Sequence, residues 1–143
     1  MSTSTINWEA ESQKYDLNQD GYIEVPLGTY DVSINNIELK LSKAGKPMVS
    51  VLFKINDGDY IHSCLFMNQI VTNGIQKHII IEFLRSLEIY DEESINFPGS
   101  DYTILASILA DINYILSTEN IAFQLKYGED KGYKTFTIEK VFR

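Results

Sequence analysis

The chain has 143 residues, 44% of them apolar, and a formal net charge of −8, which suits one domain with a sizeable core. No stretch approaches the roughly 20 consecutive apolar residues of a membrane span. The first residues lack a positively charged region followed by an apolar stretch, so we expect neither a membrane helix nor a secretory signal. Cys64 is the sole cysteine, which excludes an internal disulfide and predicts a reducing, cytoplasmic environment.

The acidic charge is unevenly distributed along the sequence. Residues 1–27 carry a net −4 and residues 72–118 a net −5, whereas residues 28–71 are neutral and residues 119–143 carry +1. A neutral or basic sheet beside an acidic helical part can still present a groove of the sign that phosphates require. The net charge therefore weakens the case for nucleic-acid binding without excluding it.

Residues 1–24 predict a polar N-terminal segment that packs on the body of the protein through Trp8. Within it, Asp16 to Glu24 matches the first nine positions of an EF-hand calcium loop. The twelfth position, where the loop needs a bidentate glutamate, is Leu27. We favour a polar Asx-type turn over a calcium site and predict no bound metal.

The first predicted strand, residues 27–41, changes phase at Asn35 and Asn36. An extra residue of this kind indicates a bulge, which lets one strand bend from one sheet layer into another. Small five-stranded barrels of the OB type need such a strand. Apolar residues recur at every second position on both sides of the asparagines, but the second group is shifted by one residue relative to the first. The first group is Tyr30, Val32 and Ile34, and the second is Ile37, Leu39 and Leu41.

Two more strands are predicted before the helical part. The turn at 42–47 contains Gly45, which tolerates a positive φ. Residues 48–55 alternate as a second strand, and the Asp57-Gly58 pair indicates a tight hairpin. The third strand is expected to run from Tyr60 to Asn68.

The apolar period then becomes helical. We predict a helix from Gly74 to Leu87, capped by Asn73 and Gln76, a loop at 88–100 and a second helix from about Asp101 to Leu116. Strands at Asn120–Tyr127 and Tyr133–Phe142 follow, joined by a turn at 128–132. The inward residues of the second helix are expected to be Leu105, Ile108, Leu109, Ile112 and Ile115.

This order predicts a mainly β protein with a helical insertion. The fold class is a five-stranded OB-type barrel with two helices between strands three and four. Residues 25–143 then form one domain, with the insertion at about 73–117.

The sequence contains no recognisable catalytic constellation. It lacks a Gly-x-Ser-x-Gly elbow, a phosphate-binding loop and a dinucleotide fingerprint, so we expect neither an enzyme nor a cofactor. His62 and Cys64 fall on one side of the third predicted strand, but two ligands are too few for zinc. A partly buried strand pair is the favoured interpretation of these two residues.

Aromatic and basic residues are interleaved on the predicted strands. Bases stack on exposed aromatic rings while lysines follow the phosphates. The alternative is that the aromatic residues belong to the core and the lysines only keep the hairpins soluble. The candidate DNA-binding residues are Lys43, Lys46, Lys54, Lys131 and Lys134 for phosphates, with Phe53, Phe66, Tyr127 and Tyr133 as stacking platforms.

The chain resembles a family of bacteriophage proteins long catalogued as a domain of unknown function. The resemblance covers about Trp8 to Phe142. It rests on the segment from Val25 to Val32, on the turn from Ser42 to Met48 and on the final Tyr127, Lys131, Gly132, Tyr133 and Lys134. Family members are associated with single-stranded DNA binding in replication and recombination modules, which implies an OB fold and partners among those phage proteins. Residues 89–118 are longer than in many members.

We therefore predict a phage-type protein that binds single-stranded DNA without sequence preference in the host cytoplasm, with a second copy of itself as a candidate partner. The alternative is an acidic interaction protein that binds or inhibits a host or phage protein, for example a defence system, without binding DNA. The first hypothesis requires the first strand to bend and the five lysines to share one side of the molecule.

Overall fold

The computed structural model describes residues 24–90, 95 and 102–143. The described part is mainly β, with five antiparallel strands in one sheet and two helices between the third and fourth strands. The strand order is β3-β2-β1-β4-β5. The elements are β1 Gly28–Leu41, β2 Pro47–Ile55, β3 Cys64–Ile70, α1 Gly74–Ser86, α2 Tyr102–Thr118, β4 Ala122–Asp130 and β5 Tyr133–Phe142.

The bulge predicted in β1 is confirmed. Ile34 pairs with Phe53 and Asn36 pairs with Leu52, so Asn35 is the extra residue of β1 against β2. The bulge absorbs the slip in the apolar pattern, because Ile34 and Ile37 both face the core on either side of it. A one-residue slip without a bulge would have turned the second half of the strand inside out.

The sheet is strongly curled. β2 and β5 are three strands apart, which in a flat sheet would separate them by about 14 Å. The rings of Phe53 on β2 and Phe136 on β5 nevertheless stack with centroids 5.7 Å apart. The sheet therefore has a concave face that forms the core and a convex face, which we call the outer face.

Helix α1 lies against both edges of this curled sheet. Phe83 packs edge-to-face on Phe53 with centroids 6.1 Å apart, and a cavity of about 330 Å³ lies between α1, β3 and β5. No pairing between β3 and β5 occurs among the described residues, so the sheet is not closed there into a barrel. Asn73 and Gln76 form the predicted capping box at the start of α1.

Helix α2 packs against the concave side of the sheet through Leu105, Ile108, Leu109 and Ile112, which are buried as predicted. β1 pairs with β4 only from Gly28 to Val32, so its second half lacks a strand on that side. Asn113 of α2 replaces the missing strand at Ile37: the backbone N–H of Ile37 donates to Asn113 Oδ1 at 3.0 Å. In return, Asn113 Nδ2 donates to the carbonyl of Ile37 at 2.5 Å.

The prediction of a tight hairpin between β2 and β3 is wrong. β3 begins at Cys64 rather than Tyr60, and residues 56–63 form a longer loop. Tyr60 lies in this loop, where its ring packs edge-to-face on Tyr30 with centroids 6.2 Å apart. His62 lies in the loop with a φ of 74°, so it is not paired with Cys64 on a strand.

The connection between β4 and β5 is tighter than predicted. The strands continue to Asp130 and Tyr133, and the turn consists of Lys131 and Gly132. Both residues have positive φ, 53° and 84°, as a type I′ hairpin turn requires. The predicted positive φ at Gly45 is also confirmed, at 79°.

Several predictions concern residues outside the described part of the chain. These are the packing of Trp8, the turn from Asp16 to Ile23 and most of the loop at 88–100. Neither described helix has the length and apolar character needed to cross a bilayer.

Candidate nucleic-acid interface

The outer face of the sheet is the surface on which the predicted DNA-binding residues can be compared. Strand register assigns the side chains to faces, because paired residues share a face and neighbours along a strand alternate. On β2, Val49, Val51 and Phe53 are fully buried, so Leu52 and Lys54 point outward. The outer face carries the lysines Lys40, Lys54, Lys126 and Lys140 and the acids Asp31, Glu38 and Asp130.

Lys54 is placed on this face as predicted. It lies between Ser33 of β1 and Cys64 of β3, and it forms no ion pair with any described residue. Burial by neighbouring groups raises the pKa of the Cys64 thiol, while the positive charge of Lys54 acts in the opposite direction. With a raised pKa the thiol stays protonated at neutral pH, so this cysteine is not activated as a nucleophile.

Three outer-face lysines, Lys40, Lys126 and Lys140, are not among the predicted DNA-binding residues. Lys126 on β4 pairs with Thr29 and Thr137, and Lys140 on β5 pairs with Gln124. The alternation of buried Phe123 and Leu125 on β4 was a signal for the orientation of Lys126. For Lys140 the signal was a second one-residue slip in the apolar pattern, between Ile138 and Val141. In the structure this slip is a register shift, because Ile138 pairs with Leu125 and Lys140 pairs with Gln124.

Phe66 is an exposed aromatic side chain on this face. It pairs with Leu52 of β2, and 60% of its surface is exposed. A phenylalanine with this exposure on an open sheet face offers a base a ring to stack on. Phe66 therefore keeps its place among the predicted stacking platforms.

Two of the predicted platforms lie in or against the core. Phe53 is fully buried and its ring is covered by Phe83 and Phe136, so a base cannot reach it. Tyr127 is half-buried on the concave side, where its ring lies 5.4 Å from that of Phe136. Each of the two side chains points to the same face as the apolar residues two positions away on its strand, and that face forms the core.

The tip of the β4–β5 hairpin retains two of its three candidates. Tyr133 is 78% exposed and shares the outer facing of Thr137, while Lys131 is exposed in the turn. Lys134 instead donates to Glu129 at 2.7 Å, and this hydrogen bond raises the pKa of the lysine. Its charge is offset locally, so Lys134 contributes less to phosphate binding than Lys54 does.

Lys43 and Lys46 lie at the opposite end of the sheet from the other three predicted lysines. They occupy the β1–β2 turn, whereas Lys54 ends β2 and the β4–β5 hairpin lies beyond the start of β1. Along β2, Lys46 and Lys54 are separated by about 26 Å at about 3.3 Å per residue. The five lysines therefore do not share one side, so the requirement stated for the DNA-binding hypothesis is not met by this set. A DNA-binding surface has to be built from other outer-face lysines together with Lys54, without Lys43 and Lys46.

The described residues offer no other chemistry at this face. No group of three or more metal-ligating side chains occurs within residues 24–90, 95 and 102–143. His62 and His78 are both exposed and lie on different elements.

Compared with known proteins, the chain matches no protein-family model and no curated protein. The resemblance to the bacteriophage family therefore stays a prediction.

Proposed function

We propose that this protein binds single-stranded DNA without sequence preference, and without catalysis, through the outer face of its sheet. The observation that carries the proposal is the composition of that face in a protein with a net charge of −8. Four lysines against three acids, with an exposed phenylalanine among them, make it a weakly basic and aromatic surface on an acidic molecule.

Each part of this surface has a distinct physical role. Lys54, Lys126 and Lys140 neutralise phosphates and release their counterions, which makes binding salt-dependent. Phe66, and Tyr133 at the hairpin tip, stack on bases at about 1–3 kcal/mol per base, whatever the base is. A surface of this kind tracks a strand without selecting a sequence, and a duplex hides the base faces that it would use.

The fold supports the proposal as an OB-type barrel that is partly open. Strand order, the bulge in β1 and the curl that brings Phe53 to Phe136 suit such a barrel. Helix α1 then covers the gap between β3 and β5, where a closed barrel would have a fifth contact between strands. The family resemblance adds a place in phage DNA replication or recombination, in the host cytoplasm, with partners from those modules or a second copy of the chain.

The test is fluorescence anisotropy with a labelled oligothymidine at low salt. We expect saturable binding to the unaltered protein. Replacing Lys54, Lys126 and Lys140 together by glutamine should abolish most of this binding. The slope of log affinity against log salt concentration should also become shallower, by about one for each phosphate that is no longer neutralised.

Phe66→Ala tests the stacking platform against a matched control. We expect it to weaken binding by about 1–3 kcal/mol, with little effect on stability because the ring is largely exposed. Tyr114→Ala removes a ring of similar exposure, 69%, that lies on α2 rather than on a strand, and should leave binding unchanged. Equal losses from both variants, or no binding to the unaltered protein, would contradict the proposal.

The alternative of an acidic interaction protein finds support on α2. Tyr114, Ile104 and Asp111 are exposed on this helix, and exposed aromatic residues beside acids can contact a basic protein partner. A flat oligothymidine titration at low salt would favour this second function.

A further inference from the structure

We propose that the free edge of β1 at Leu39 to Leu41 binds an extended acidic peptide by adding it to the sheet as a strand. The proposal does not depend on DNA binding, because the site lies at the end of the sheet opposite to Lys54. It gives a role to the lysines of the β1–β2 turn, which the structure separates from the outer-face group.

Backbone geometry shows which groups of β1 face away from β2. The N–H of Ser42 donates to the carbonyl of Lys46, and hydrogen-bonded pairs alternate along an antiparallel ladder. Lys40 and Glu38 therefore bond to β2, whereas Ile37, Leu39 and Leu41 direct their N–H and C=O groups to the other side. The two hydrogen bonds from Asn113 to Ile37 on that side agree with this alternation.

Beyond Ile37, no strand of the described part of the chain pairs with this edge. β4 pairs with β1 only up to Val32, and no described residue bonds to the outward backbone groups of Leu39 and Leu41. The side chain of Leu41 is 68% exposed. Unpaired backbone donors and acceptors beside an exposed apolar side chain are what an incoming strand requires.

The charges around this edge specify an acidic partner. Lys40, Lys43 and Lys46 are all exposed there and form no ion pair with residues that the structure describes. The nearby acid, Glu38, is already engaged by the side-chain amide of Asn36 at 2.8 Å. Opposite charges placed across a strand pair stabilise it, so the residue facing Lys40 should be acidic and those facing Leu39 and Leu41 apolar.

A second copy of the chain fits this edge poorly. Antiparallel pairing of Leu39 with Leu41 of the other copy would set the two Lys40 side chains directly opposite each other, and like charges there are destabilising. Pairing Leu39 with its own counterpart would require the backbone of Ile37, which Asn113 already occupies. Single-stranded DNA would use the lysines but has no use for the strand edge.

The experiment is a titration of the isotope-labelled full chain with the peptide Ser-Glu-Val-Glu-Val-Glu-Ser, followed by amide NMR and hydrogen exchange. In the unbound protein, the amides of Leu39 and Leu41 should exchange much faster than those of Ile37 and Lys40. The peptide should shift the signals of Leu39 and Leu41 and slow their exchange at least severalfold. The matched peptide with lysine in place of glutamate should do neither.

Two variants test the two components of the site. Leu41→Pro removes an outward N–H without removing a bond to β2, and should weaken peptide binding roughly five- to tenfold. Lys40→Glu should weaken it to a similar degree by opposing the acidic residue. The proposal is overturned if neither peptide protects these amides, if both do so equally, or if oligothymidine protects them and the acidic peptide does not.

Discussion

At the scale of single residues, Asn113 completes the hydrogen bonding of β1. Asn113→Ala would leave the N–H and C=O of Ile37 without partners in a partly buried position. A buried polar group that loses its partner costs about 1–3 kcal/mol. We expect the free energy of unfolding, measured in urea, to fall by about this amount, and the exchange of the Ile37 amide to accelerate.

The matched control is Asn35→Ala, two residues before Ile37. Asn35 is exposed, and its side chain makes no hydrogen bond to the described part of the chain, so its removal should change the stability by less than about 0.5 kcal/mol. If the two variants were equally stable, the contact from Asn113 would be of no consequence for β1.

The fate of individual site residues follows from strand facing. Aromatic character alone predicts a stacking platform at each aromatic position. In the structure, Phe53 and Tyr127 point to the concave face with the buried residues of their strands, whereas Phe66 points to the outer face. The apolar alternation could have separated these cases. The sequence could not indicate that Lys43 and Lys134 lie at opposite ends of the sheet, because this depends on which strands pair and in which direction.

At the scale of elements, the bulge in β1 sets the bend of the sheet. Deleting Asn35 should leave a regular strand in which every remaining residue keeps its partner and its face, because Asn35 has no partner on β2. The loss of the bend should still strain the contact between Phe53 and Phe136. We expect the variant to fold with its free energy of unfolding lowered by about 2–4 kcal/mol.

Deletion of Ser33 is the control for this prediction. It also removes one residue and lets β1 run without a bulge, but it turns Ile34 outward and Asn35 toward the core. Ile34 is 5% exposed in the intact protein, so this exchange should cost about 2–5 kcal/mol more than the deletion of Asn35. The register is checked by NMR contacts between Ile37 and Val51. Equal destabilisation by the two deletions would contradict the role assigned to the bulge.

The elements that were predicted well are those whose signal is local. The phase change at Asn35, the capping box at Asn73 and the apolar stripe of α2 each lie within one element. The β2–β3 loop was predicted wrongly, and its Tyr60 packs on Tyr30, a residue of another strand, which is a contact that the local sequence does not indicate. Closure of the sheet could not be predicted from a local pattern either, because it depends on how α1 lies between the edge strands β3 and β5.

At the scale of the whole molecule, the position of each acid should matter more than the net charge of −8. Exposed charges are largely screened beyond about 10 Å at an ionic strength of 0.1 M. Asp31 lies on the outer face, in line with Gln124 and Lys140 across the sheet. Asp111 lies on α2 rather than on a strand of that face, and it accepts a hydrogen bond from Tyr90 at 2.9 Å.

Asp31→Asn and Asp111→Asn remove the same charge from these two places, and the second keeps an oxygen for Tyr90. In the oligothymidine titration at about 0.1 M salt, Asp31→Asn should strengthen binding by about two- to fivefold, because it removes a repulsion close to the phosphates. Asp111→Asn should leave the affinity unchanged. Equal strengthening by both would mean that the overall charge governs binding, or that DNA contacts the helical side, and the outer face would lose its assignment.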